Sequence, residues 1–215
     1  MSNRATPPNI TANPITSWNK TPTLPVIDDT AYIHPQATVI GEVRIGRDVM
    51  VCPHASIRAD EGTPIHVGEQ SNVQDGVILH GLETLDSVGK EIPPNIMEFE
   101  EGYYSIYIGE RVSLAHQSQI HGPALIGDDT FVGMQAFVFK ARVGNQCVLE
   151  PGSRIIGVDI SPGRYVPSGA VVTSQEEADM LPEVRPEYPY RNTNEAVVKV
   201  NIELARGYLK MDRET

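Results

Sequence analysis

Residues 108–138 read IGERVSLAHQSQIHGPALIGDDTFVGMQAFV, in which Ile108, Leu114, Ile120, Ile126, Val132 and Val138 stand six residues apart. A helix would return an apolar side chain every three or four residues and a simple strand every second one. The period of six extends outward on both sides. Upstream it holds at Ile33, Val39, Ile45, Val51 and Ile57, then at Val67, Val73 and Leu79. Downstream, Val143, Leu149 and Ile155 resume it after a one-residue slip, and Ile160, Val166 and Val172 after a second. Each unit reads as a short strand with one inward aliphatic side chain, followed by a turn. Three units close a coil, and coils stacked about 4.8 Å apart pair their backbones as parallel strands over ladders of Ile, Val and Leu. Glycine follows the aliphatic marker directly at Gly46, Gly68, Gly109, Gly127, Gly133 and Gly144, where the lack of a Cβ relieves crowding in stacked turns. The fold expected over 27–173 is a mainly β, parallel β-helix of hexapeptide repeats, with residues 1–26 as an N-terminal extension.

Two interruptions break the rhythm. Arg58 to His66 carries Arg58, Asp60 and Glu61, and 81–105 is a long acidic excursion with Glu83, Asp86, Glu91, Glu98, Glu100 and Glu101. Long loops inside compact repeats are usually functional or disordered. From 174 to 215 the pattern turns helical and is expected to pack on the β-helix. Ser174 is placed to cap a short helix, and a longer one starts near Asn192 or Thr193. Its expected packing stripe is Val197, Val200, Leu204 and Tyr208, broken by Asn201.

The bulk composition narrows the function classes. A charge of -11 over 215 residues, with a pI near 4.9, opposes binding to a nucleic-acid backbone or an anionic membrane. No stretch approaches the roughly 18 apolar residues of a membrane span. The first 26 residues lack the apolar core of a secretory signal. The expected setting is the cytoplasm. Cys52 and Cys147 are too far apart in sequence to suggest a thiolate metal pair.

Three of the six histidines flank the excursion, and their phase differs. His80 follows the marker Leu79 by one and His121 follows Ile120 by one, so they are equivalent on neighbouring coils. His116 follows Leu114 by two and points elsewhere, where it is available to a second subunit. Neutral imidazoles suit zinc and similar divalent metals, and three of them leave a coordination position open. His34, His54 and His66 lack an acidic setting and read as surface residues.

Residues 58–83 (RADEGTPIHVGEQSNVQDGVILHGLE), 107–122 (YIGERVSLAHQSQIHG) and 192–201 (NTNEAVVKVN) resemble the gamma-class carbonic anhydrases of the archaeal type. That resemblance runs from about Pro14 to the C-terminus. It implies a left-handed β-helix, a homotrimer, and reversible hydration of carbon dioxide to bicarbonate at a subunit interface. His80 and His121 would bind the metal from one subunit and His116 from its neighbour. The metal would be zinc, or ferrous iron or cobalt, activating a bound water, an effect for which carbonic anhydrase is the standing example. Glu61 and Gln74 match positions that hydrogen-bond that water, Asn201 an amide that holds substrate or bicarbonate with Gln74, and Glu83 the proton shuttle. Asn72 resembles the residue orienting Gln74, while Arg58, Asp60 and Asp75 resemble a charged group tying subunits together. Lys199 departs from the family's tyrosine and puts a cation near the cleft. The carboxysome scaffold protein has a related domain, which makes a non-catalytic assembly domain, housed in a carboxysome, the alternative. A hexapeptide acyltransferase would share the prism but typically uses one histidine as general base.

Overall fold

In the computed structural model, which describes residues 8–100 and 102–214, every marker from Val39 to Val172 is at most 4% exposed, and Ile33 packs against the same core. Burying each such side chain is worth about 1.5–3 kcal/mol, which is why the six-residue rhythm decides the fold. The chain visits three parallel ladders in turn. The first face holds Thr38–Gly41, Ser56–Ala59, Ile78–Gly81 and the start of Gln119–Ile126; the second holds Val43–Ile45, Ile65–Val67 and Ile106–Ile108. The third is a seven-stranded sheet from Tyr32–Ile33 to Tyr165–Val166. Gln119–Ile126 and Phe137–Val143 each run round the corner from face one to face two without a break, joining those faces into one 13-stranded sheet. Among the described residues the prism starts earlier than the boundary at 27. Ile10–Thr11 pairs with the strand Thr38–Gly41, Ile10 opposite Val39, because two residues suffice to extend a ladder whose partner is already in place.

The same corner explains every departure from the period. Gly122 and Pro123 bulge there, where Phe137–Val143 spends one residue fewer, and that difference is the first slip. Both interruptions also leave the coil between face one and face two. They are tied together where the Thr63 amide donates to Thr84 Oγ1 at 3.2 Å and that hydroxyl donates to the Thr63 carbonyl at 3.0 Å. The acidic excursion is ordered as a 3-10 turn, Pro93–Asn95, and an antiparallel hairpin of Met97–Phe99 with Gly102–Tyr104. Glu101 lies outside the described residues.

Glycines after the markers are there for room: a Cβ on Gly68 would collide with the Gly109 carbonyl of the next coil. The left-handed backbone sits two residues later, at Asp48, His54, Gln70, Arg111, Gln117, Asp129, Gln135 and Gln146. Asp and Gln hold these turns as well as Gly, a position the glycine pattern does not mark.

The hairpin folds onto face two through aromatic rings. His66 stacks on Tyr107 with centroids 4.8 Å apart, and Phe99 and Tyr104 close over Tyr107 at 4.5 and 5.0 Å. His66 is therefore half-buried, correcting its reading as a surface residue. Burial, then the neighbouring Arg44, push its pKa below the ordinary 6.5, with Glu110 pulling the other way. A histidine held neutral in the fold contributes stability that is fully present above its unfolded pKa and is lost as pH falls through that value toward the folded one. Melting temperature is thus expected to drop from about pH 7 to pH 5, and His66→Gln to flatten that slope. An unchanged slope in the variant would show that the stacked imidazole does not titrate in this way.

The helices α1 (Gln175–Asp179) and α2 (Thr193–Glu214) follow. Ser174 caps α1 as expected, in a reciprocal box with Glu177. The packing face of α2 differs from the expected stripe: Asn194, Val198, Asn201 and Ala205 are buried, while Val200 and Leu204 are 55% and 44% exposed. Tertiary partners set this rotation. Asn194 donates to the Arg111 carbonyl at 2.7 Å, Arg206 pairs with Asp48 at 3.0 Å, and Tyr208 stacks on Tyr32. Ala205 fits against Tyr32, Met50 and Cys52 of face three.

Candidate metal centre

On face one, the residue just after each marker points outward, and parallel pairing stacks these residues into a column. Arg58 pairs with His80, His80 with His121, and His121 with Phe139. The imidazoles of His80 and His121 meet edge to face with centroids 5.4 Å apart. Asp60 and Glu61, at the corner beyond Arg58, come within 3.6 and 3.5 Å of His80 Nε2. Arg58 holds Asp60 through two bonds of 3.0 and 3.1 Å. Burial is the largest influence on His80 and lowers its pKa, and Arg58 adds to that; Glu61 and Asp60 pull the other way and lose. Burial and Arg58 together thus favour the neutral form of the His80 imidazole.

A second group lies on face three and the corner leading from it. Asn72 Nδ2 donates to Ser113 Oγ at 3.0 Å, and Gln74 Nε2 donates to Asn72 Oδ1 at 2.9 Å, so the Gln74 amide is held in one orientation. Asp75 and His116 each follow a marker by two and meet on adjacent coils, His116 Nδ1 lying 3.1 Å from Asp75 Oδ2. Asn201 is buried over this face, but its Nδ2 donates to the Val197 carbonyl of its own helix at 2.9 Å. Glu83 is exposed just past Gly81. One chain thus separates the expected site residues into two groups on different faces. Lys199 stands apart from both. It lines a groove of about 940 Å³ along the corner between faces two and three, with Arg111, Asp129 and Gln146, rather than the histidine corner.

Two contacts went unread in the sequence. Phe139 meets His121 edge to face with ring centroids 5.3 Å apart, and it follows Val138 by one, in the same phase as the two histidines. Trp18 reaches in from the N-terminal segment to donate to the Asp60 carbonyl at 3.4 Å, and no periodic signal marks it.

The chain is 66% identical, over 200 residues covering 93% of its length and 81% of the relative's, to a carbonic anhydrase of Methanosarcina thermophila. It belongs to the gamma-class carbonic anhydrases. A carboxysome assembly protein, CcmM of Nostoc, is 43% identical over 93% of the chain, which spans 34% of that longer protein. No family model matches. Among solved structures, a hexapeptide transferase family protein of Anaplasma phagocytophilum overlays with TM-score 0.64 at 24% identity, covering 86% of this chain and 93% of that one. A Bacillus cereus protein described as an acetyltransferase gives 0.68 at 22%, covering 88% and 94%. At such identities these show the shared β-solenoid alone.

The residues of this gamma-class chain suit a metal. His80 Nε2 is buried with no hydrogen-bond partner. His121 Nδ1 lies 3.2 Å from the Gly122 carbonyl, which only accepts, so the proton sits there and Nε2 keeps its lone pair. The Asp75 carboxylate does the same for His116. Anchoring the far ring nitrogen in this way is the usual support of a metal-binding histidine. Among the described residues of one chain, no three His, Cys, Asp or Glu side chains gather into a set able to hold a metal.

Proposed function

We propose that this gamma-class carbonic anhydrase catalyses the reversible hydration of carbon dioxide to bicarbonate in the cytoplasm, at sites completed between copies of a homotrimer. The observation that carries the reading is the His80–His121 pair, in register on adjacent strands, with His80 Nε2 buried and unpartnered. His80 and His121 of one copy and His116 of the next would hold the ion, zinc or else ferrous iron or cobalt. When bound, such a cation supplies the Lewis acidity that lets water ionise near neutral pH.

Around it, each side chain has a task its surroundings support. Gln74, with its Nε2 committed to Asn72, offers Oε1 as a fixed acceptor that orients the attacking water. Glu61 lies against His80 and serves as the adjacent proton acceptor. Asn201, with one N–H on its own helix, has its remaining amide atoms for bicarbonate. Glu83 is exposed, as a carboxylate passing protons to buffer requires. The Phe139 ring walls one side of His121 from water. Arg58, Asp60 and Asp75 supply the charged group that ties the copies together near the site. Val200, Leu204 and Met211 form an exposed apolar row on α2 and Met134 another such surface beside His116, as expected of chains that pack together.

The decisive measurement is stopped-flow hydration of carbon dioxide by protein loaded with zinc, and with iron under reductant. Hydration above the buffer rate is expected, with Glu83→Ala slowed about a hundredfold and recovered by added imidazole. No hydration at full metal occupancy would favour the assembly-domain alternative that the likeness to CcmM raises.

A further inference from the structure

Ser105, the residue that returns the chain to its coil after the excursion, is completely buried, and its hydroxyl has no hydrogen-bond partner. An unpaired buried hydroxyl is unfavourable, so its presence calls for a reason. Three glycines converge on it. A Cβ on Gly62 or on Gly81 would collide with Ser105 Oγ, and one on Gly122 would lie 2.5 Å from the Ser105 carbonyl oxygen and 2.7 Å from Oγ. None of these glycines has the left-handed backbone that would itself demand glycine. At Gly81 it is Ser105 that takes the space, and at Gly62 Ser105 shares it with the Leu82 carbonyl, which lies 2.5 Å from the same Cβ position.

Gly62 directly follows Glu61, Gly81 follows His80, and Gly122 follows His121, with Gly81 and Gly122 paired in register. Ser105 is also fixed on both sides: its amide donates to the Pro64 carbonyl at 2.9 Å and its carbonyl accepts from the Ala124 amide at 3.1 Å. We propose that Ser105 is the positioning residue of the centre, a wedge whose hydroxyl sets the backbone spacing of the strands and the loop that carry His80, His121 and Glu61. It touches none of the reacting groups and acts through the three glycines. This inference rests on the metal-dependent reading above.

The test is zinc affinity of the assembled protein, by competition with a chelator, beside the melting temperature of the metal-free form. Ser105→Ala is expected to weaken zinc binding about fivefold or more, as loss of outer support for a ligand does, while the metal-free protein melts no lower because an unpaired hydroxyl has gone. Gly81→Ala is expected to weaken it about tenfold or more, and Gly81→Ala with Ser105→Gly to return it to within about threefold of the parent, since the new Cβ, at the place of Ser105 Oγ, then fills the space the hydroxyl vacates. Parental affinity in Ser105→Ala, or a Gly81→Ala defect that Ser105→Gly leaves untouched, would overturn the proposal. If Gly81→Ala does not fold, the Ser105→Ala measurement decides alone. A parent protein that takes up no zinc, iron or cobalt sinks the metal-dependent reading instead, which separates the two failures.

Discussion

Alanine at His116 is expected to lower both bound metal and carbon dioxide hydration at least about a hundredfold, since loss of a ligand exceeds the roughly 10–100-fold cost of losing only its outer support. The same holds for His80→Ala. The two variants should differ from any pair within one chain when they are mixed. His80 lies on face one and His116 beyond face three, so a junction that joins His80 of one copy to His116 of the next can be whole even when each chain is defective. Unfolding the two inactive variants together in equal amounts and reassembling them is expected to restore about one-quarter of the sites, the chance that a junction draws both good halves. Each variant reassembled alone should stay inactive. Failure of the mixture to recover, with the parent protein recovering in parallel, would place all three ligands within one chain and remove the shared site.

Leu79→Ala is expected to cost about 2–5 kcal/mol of stability, read from urea unfolding of the metal-free protein. Leu79 is fully buried and sits in register between Ile57 and Ile120, in a stack where neighbouring coils leave little freedom to close a void. Val171 supplies the control, being 54% exposed one position out of phase with the buried marker Val172. Its replacement by alanine should fall within about 0.5 kcal/mol of the parent. Comparable losses at both positions would contradict the inward assignment of the period.

The inward side of the prism was legible in the sequence because burial there repeats without exception from Val39 to Val172. Phase also carried part of the site: one residue past the marker places His80 against His121, and the same rule, extended, places Arg58 and Phe139 in that column. Two past the marker likewise pairs Asp75 with His116. The faces could not be counted across the excursion, since its hairpin has no relation to the period of six. The packing side of α2 escaped for a different reason. Its buried residues include Asn194, Asn201 and Ala205, chosen by an Arg111 carbonyl, a close fit and the Asp48 carboxylate that Arg206 meets, none of which hydrophobicity reports. His66 was misread because the rings that cover it arrive from 99–107, beyond any local pattern.

Both interruptions leave the prism at one corner, between face one and face two. In a stack whose coils bond only to the coils above and below, length added at such a corner is not transmitted along the axis. The fold therefore divides its sequence into two inheritances. The glycines and markers around His80 and His121 form a gauge that tolerates almost no rewriting, whereas the acidic segment between Asp86 and Asn95 can change in length and charge from one descendant to the next. New surface chemistry can be tried there at the rim of a reaction centre without re-registering a single strand.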